Sequence, residues 1–224
     1  MNRAEFTVAR APRESALATN RVLRNTYTLL SATLLFSAAM AGLSMVLAMP
    51  AWIYLASFIG SMVLIWFVLP RTANSASGLW TVFAITGLMG FGLGPLLNMY
   101  LSLPQGPQIV GTAVGGTGLI FLALSAYALI TRKDFSFMGG MLIAGMLVVL
   151  VAMLANIFLE MPALSLAISA VVILLMSGFI LYDTGRIING GETNYILATV
   201  SIFLSIFNIF IHLLNLLTGL SGED

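Results

Sequence analysis

The side chains in this sequence that are able to do chemistry are few, and their spacing suggests two readings. Asp183-Thr184-Gly185 spells the tripeptide of aspartic proteases, and Tyr182-Asp183 has a counterpart in intramembrane aspartyl proteases. Both chemistries need two carboxylates that share a proton. The chain holds a single DTG and no GxGD, so proteolysis is not expected. The second pattern is Ser201, Ser205, Asn208, His212 and Asn215, at spacings of 4, 3, 4 and 3. On an α-helix, which turns about 100° per residue, all five fall within a stripe about 80° wide. Other chemistry is sparse. With no cysteine and one histidine, disulfides, thiolate sites and cysteine nucleophiles are excluded, and a His-rich zinc site is not expected. There is no GxSxG, HExxH, Walker loop or dinucleotide fingerprint. Gly115-Gly116-Thr117-Gly118 lies inside an apolar run with no lysine after it, so it is no phosphate cradle. The expectation is a protein that is not an enzyme, with no catalytic residue, metal site or cofactor.

What positions these residues is decided by composition. Of 224 residues, 60% are hydrophobic and 8% charged, with a mean hydropathy of +1.05. A soluble domain carries about 25% charged residues, so the chain is expected to be an integral membrane protein. A bilayer core about 30 Å thick needs about 20 apolar residues of helix. Seven runs qualify: 27–49, 52–69, 79–101, 109–130, 138–159, 163–182 and 196–217. Proline, glycine and charge punctuate the gaps, as at Met49-Pro50, Pro104-Gln105-Gly106-Pro107 and Met161-Pro162. Connections this short make consecutive helices antiparallel neighbours, hence one all-α domain over 24–218. The first 23 residues have no apolar core of the signal-peptide kind. They read as a polar, mildly basic tail that turns helical from Ser15 onward, and 219–224 form a short tail at the other terminus.

The nine basic residues give an orientation. Arg3, Arg10, Arg13, Arg21 and Arg24 precede the first span, Arg71 follows the second, Arg132 and Lys133 the fourth, and Arg186 the sixth. All fall on one side of a seven-span chain. By the positive-inside rule the amino terminus is cytoplasmic and the carboxyl terminus lies outside, opposite to the G-protein-coupled receptors.

Polar groups facing hydrocarbon are costly, so the stripe on the seventh span should face inward, with that helix central and the other six around it. For each member, interhelical hydrogen bonding is the plain reading. The third span carries Gly87, Gly90, Gly92, Gly94 and Pro95, the fourth Gly111, Gly115, Gly116 and Gly118. Close packing is the expected role of both sets, with a hinge or cavity lining as the functional alternative. Asp183 is placed by Gly190-Gly191, a natural helix stop. If the sixth helix runs to Asn189, Arg186 occupies its last turn and Asp183 sits about 9 Å inside its end. A pair with Arg186 at i, i+3 is the structural reading of that acid, and an intramembrane acid is by default a functional one.

Four stretches, ITGLMGFGLGPLLNMYLS (85–102), TRKDFSFMGGML (131–142), ANIFLEMPALSLAISA (155–170) and GGETNYILATVSIFLSIFNIF (190–210), resemble the Bax-inhibitor-1 family, most closely its bacterial YccA-like branch. The resemblance runs from about Arg24 to the end of the seventh span and implies a seven-helix fold with the last helix central. It also implies two functions. In calcium-leak members an acid in the ILYD motif pairs with an acid on the seventh helix, and an arginine near the end of the second engages the former. Here these positions are Asp183, Ser205 and Arg71. The second acid is missing, which puts a pH-sensitive calcium leak in doubt and leaves Ca2+ only as a transported ion. Ser205 is the expected hydrogen-bond partner of Asp183 in its place. The YccA-like branch instead implies a modulator of FtsH, the membrane-anchored ATP-dependent protease of the bacterial inner membrane, which associates with HflK and HflC. The basic tail is then a handle for that partner.

Overall fold

The computed structural model describes the backbone of residues 10–222 and the side chains from residue 19 onward. Among these every regular element is a helix: α1 (Arg10–Val46), α2 (Trp52–Val63, continued through Leu64–Val68 and Leu69–Thr72), α3 (Ser77–Leu101), α4 (Gly106–Thr131), α5 (Met138–Leu159), α6 (Pro162–Ile188) and α7 (Tyr195–Ser221). All seven are long and apolar enough to cross a membrane. Each satisfies its own backbone, the condition for a chain in hydrocarbon. The expected spans fall inside these elements, except that 47–49 of the first lie beyond Val46, where Ala48 takes a φ of 48°. α1 reaches back to Arg10, earlier than the Ser15 start that its sequence suggests, while 1–9 and 223–224 lie outside the described residues.

Local chemistry explains the irregular points. In α2 one π turn at Leu64–Val68 precedes Pro70. Proline supplies no N–H and crowds the carbonyl four residues back, which the wider turn relieves. α6 runs past Tyr182 to Ile188 because nothing stops it before Gly190, which takes φ of 74°. There Gly191 N–H bonds Arg186 O at 2.8 Å and Gly190 N–H bonds Ile187 O at 3.2 Å, a glycine-dependent closure of the helix end. At the start of α5 the Asp134 carboxylate accepts from the Ser136 hydroxyl and N–H at 2.5 and 2.8 Å. Those two bonds, the hydroxyl's first, hold its pKa below the usual carboxylate range.

α7 sits at the centre: between Ala198 and Gly219 no residue of it is exposed. It packs on α1, α3, α4 and α6. The backbones of α2 and α5 do not approach it; α2 leans on α3, and α5 packs on α6 alone. The expected ring of six is therefore a ring of four with two outriders, because α3 is a second hub. Its glycines allow this. A Cβ at Gly90 would run into the Ser37 carbonyl of α1, one at Gly94 into the Ser44 hydroxyl, and one at Gly92 would come within 2.8 Å of Ser57 of α2. α3 is thus clasped on two faces, as small residues permit.

The glycines of α4 behave differently. Added Cβ atoms at Gly111, Gly115 and Gly118 meet nothing within 4 Å, and of the expected set only Gly116 touches a neighbour, Leu213 of α7 at 3.4 Å; Gly106, in the first turn, lies against the Tyr100 carbonyl. The close packing expected of both sets holds for α3 and fails for most of α4, where the outward side of the helix has no partner. Gly90→Leu is therefore expected to lower stability by about 1–3 kcal/mol, the usual cost of overpacking, and Gly115→Leu to cause no loss. Unfolding in detergent micelles measures both.

Candidate functional site

The site is built on the antiparallel α6–α7 hairpin. Asp183 is 7% exposed, and its Oδ2 accepts from the Ser201 hydroxyl at 2.5 Å. Helix geometry explains why Ser201 and not Ser205 is the partner. Asp183 lies five residues, about 8 Å, from the end of α6, whereas Ser201 lies about 9 Å and Ser205 about 15 Å from the start of α7. Two antiparallel helices joined by a short loop bring equal depths together. Ser205 is one turn too deep, and its buried hydroxyl donates to the Ser201 carbonyl at 3.2 Å. The contact expected between Asp183 and Ser205 is therefore replaced by one to Ser201, a member of the stripe singled out only for its spacing.

The two arginines expected near Asp183 are engaged elsewhere. Arg186 pairs with Glu192 at 3.4 Å, donates to Gly191 O at 3.2 Å and lies 5.6 Å from the centre of the Tyr182 ring. The 189–194 turn folds back over the helix end and offers it a carboxylate nearer the surface. Arg71 is exposed and donates to the Phe67 carbonyl of its own helix. It stands on α2, which packs on neither α6 nor α7.

Three groups at the same end of the bundle as the acid were not singled out by spacing. Tyr27 of α1 and Thr184 share a hydrogen bond of 3.3 Å, one residue along from Asp183. Asn194 caps α7 by accepting from the N–H groups of Ile196 and Leu197 at 2.9 and 3.2 Å. Its amide also donates to Ala73 O and Asn74 Oδ1 at 3.0 and 2.9 Å, tying the α2–α3 turn to the start of α7. Glu192 Oε1 accepts from Asn194 N–H at 2.8 Å, so Arg186, Glu192, Asn194 and Asn74 form one chain of contacts at the basic end. An Asn just before an apolar run is a cap signal, and it was present in GGETNYI (190–196).

Of the rest of the stripe, Asn208 turns to its own helix, and His212 and Asn215 serve as interhelical glue. Asn208 donates to Leu204 O at 2.8 Å. His212 Nδ1 lies 3.0 Å from Ser169 Oγ, and Asn215 donates to Ser165 and Ser169 at 3.1 and 2.8 Å. Those α6 serines line, with His212, Asn215 and Asn156, a cavity of about 210 Å³ at the end opposite the basic residues. Asp183 and this cluster occupy opposite halves of one seam, and between them the polar groups turn to their own helix. Chemically the site is a carboxyl clamped by one hydroxyl. Among the described residues no second carboxylate bonds it, so they form no shared-proton dyad.

Fold and site together define a multi-pass membrane protein organised around its last helix, with an enclosed acid near its basic end. The chain belongs to the family described as "Inhibitor of apoptosis-promoting Bax1", which it matches over residues 19–222. It is 53% identical over 212 residues, 95% of each chain, to "Modulator of FtsH protease YccA" of Escherichia coli strain K12. The same figures hold for "Inner membrane protein YccA" of Escherichia coli O6:H1. An uncharacterized membrane protein of Vibrio cholerae is 47% identical over 211 residues, 94% of this chain and 95% of its own. The protein is a multi-pass inner-membrane protein.

Ser201→Ala leaves the buried Asp183 carboxyl without its donor and is expected to cost about 2 kcal/mol. Ser205→Ala, which removes only a bond to the preceding turn, is expected to cost less than half as much. Thermal or denaturant unfolding in micelles separates them. In a cycle with Asp183→Asn, the Ser201 effect should couple to residue 183 and the Ser205 effect should not.

Proposed function

We propose that this protein is a non-enzymatic partner of the membrane-anchored protease FtsH, and that it restrains FtsH within the bacterial inner membrane. The observation that carries this reading is the 53% identity, over 95% of both chains, to a protein named as a modulator of that protease. The geometry agrees with it. Asp183, the polar centre at the basic end of the bundle, is bonded to a hydroxyl, and Ser205 stands where a leak-type member carries its second acid. Nothing in such a pair splits a bond. The basic end faces the cytoplasm on this reading, by the positive-inside rule, which puts residues 1–23 on the side where an ATP-driven enzyme works. HflK and HflC are then expected in the same assembly. Affinity capture of the full-length chain from detergent-solubilised membranes is expected to recover FtsH together with HflK and HflC. Failure to recover FtsH under conditions that retain HflK and HflC overturns the proposal.

A second reading, a cation leak, has in its favour the burial of Asp183 between α6 and α7. Calcium-loaded proteoliposomes distinguish the two. A restraining partner gives no flux at any pH, whereas a flux that changes with pH and is altered by Asp183→Asn establishes the leak.

A further inference from the structure

The open side of α4 leads to a cavity. The backbones of α1 and α4 never come within 8 Å of each other, and between them lies an apolar space of about 430 Å³. Ala38 and Gly42 of α1 form one wall, Val114 and Gly118 of α4 the other, and Leu93 of α3 with Phe207 of α7 close the floor. Among all its lining side chains only Ser37 and Thr117 carry a polar atom, and the Thr117 hydroxyl is bonded to Ala113 O at 2.7 Å. Phe121, the lining ring nearest Asp183, stacks on Tyr27 with ring centres 6.0 Å apart. The space runs along α1 from Leu34 to Met45, through the half of the bundle away from the basic end. Both glycines on its walls face emptiness: a Cβ at Gly42 or Gly118 meets nothing within 4 Å.

Inside a membrane such a space has two classes of apolar occupant, a helix of another protein or a hydrocarbon chain, and its dimensions choose between them. Eleven steps from Leu34 to Met45, at about 1.5 Å each, make it about 16 Å long. The volume of about 430 Å³ is that open to the centre of a water-sized sphere; widened by that sphere's radius of about 1.4 Å, it gives over this length a mean cross-section of about 60 Å². A helix with side chains, about 10–12 Å across, needs about 80–110 Å². The space is narrower than a helix with its side chains and wide enough to take an extended hydrocarbon chain.

We propose that the α1–α4 groove is a binding site for one acyl chain of a membrane lipid, which enters sideways between the two helices and lies against the phenylalanines of α7. The absence of side chains at Gly42 and Gly118 is what keeps the groove deep enough. The occupant ends against the Tyr27–Phe121 stack. Since Tyr27 also bonds Thr184, that stack links the lipid chain to the Asp183 region.

The full-length protein in proteoliposomes, with phosphatidylglycerol carrying a photoactivatable diazirine midway along one acyl chain, tests this. Adducts are mapped by mass spectrometry. The expected result is labelling at Phe207 and Phe210, which line the groove on the central helix. It should fall at least fivefold in the Gly42→Leu/Gly118→Leu double variant, which fills the groove. Labelling of Leu119 and Leu122, exposed on α4, should not change. Val114→Trp blocks the same space while leaving both glycines intact, and keeps the test decisive if the double variant fails to fold. A second arm with a diazirine fatty acid distinguishes the source. Labelling in either arm that is lost on filling supports an acyl-chain site and says which lipid supplies the chain. Labelling at Phe207 and Phe210 that survives filling, or adducts confined to exposed residues in both arms, overturns it. So does a cross-link from the groove to a helix of another protein.

Discussion

Hydrocarbon offers no hydrogen bonds, so the backbone N–H and C=O groups of each span, and most of its polar side chains, must find partners inside the protein. That constraint makes every span a helix and turns the Ser/Asn/His face of α7 away from lipid. It leaves α7 enclosed, because a helix whose polar stripe is satisfied partly by α6 and whose remaining faces are Ile, Leu and Phe packs on all sides. Asp183 follows the same rule. Arg186 and Glu192 satisfy each other nearer the surface, so the acid is left to the one donor at its own depth, the Ser201 hydroxyl.

The small residues show how one composition serves two opposite ends. α3 and α4 are both rich in glycine, yet α3 uses its glycines to bring α1 and α2 into backbone contact, and α4 leaves most of its own facing open space. The difference arises from position. α3 lies between α1, α2 and α7 and has neighbours on nearly every side, while α4 leans on α6 and α7 and turns its outer face away from α1. The gap between α1 and α4 is the product. Phe121 lines it and stacks on Tyr27, which also reaches Thr184, the residue beside Asp183, so this buried acid and the apolar space are linked through two stacked rings.

Much of this was legible in the sequence, and the misses have one origin. Seven spans, the all-helical class, the stop at Gly190-Gly191, the depth of Asp183 and the inward face of α7 follow from composition, helical period and end signals, all of which act within a single helix. The hydrogen bonds made by Asn208 and Ser205 are also local. Resemblance placed a missing acid at Ser205 and an arginine at Arg71, but a motif carries no information about relative depth. Which hydroxyl meets Asp183 depends on the register of α6 against α7, and that register is set by where the 189–194 turn closes and by Asn194 fastening the start of α7 to Asn74. Which glycines pack, and which line a cavity, depends on neighbours dozens of residues away. Period and composition thus determined what each helix is and which way it faces; only the tertiary structure decided what it faces, because contacts between helices are selected by register and by the space that other helices leave.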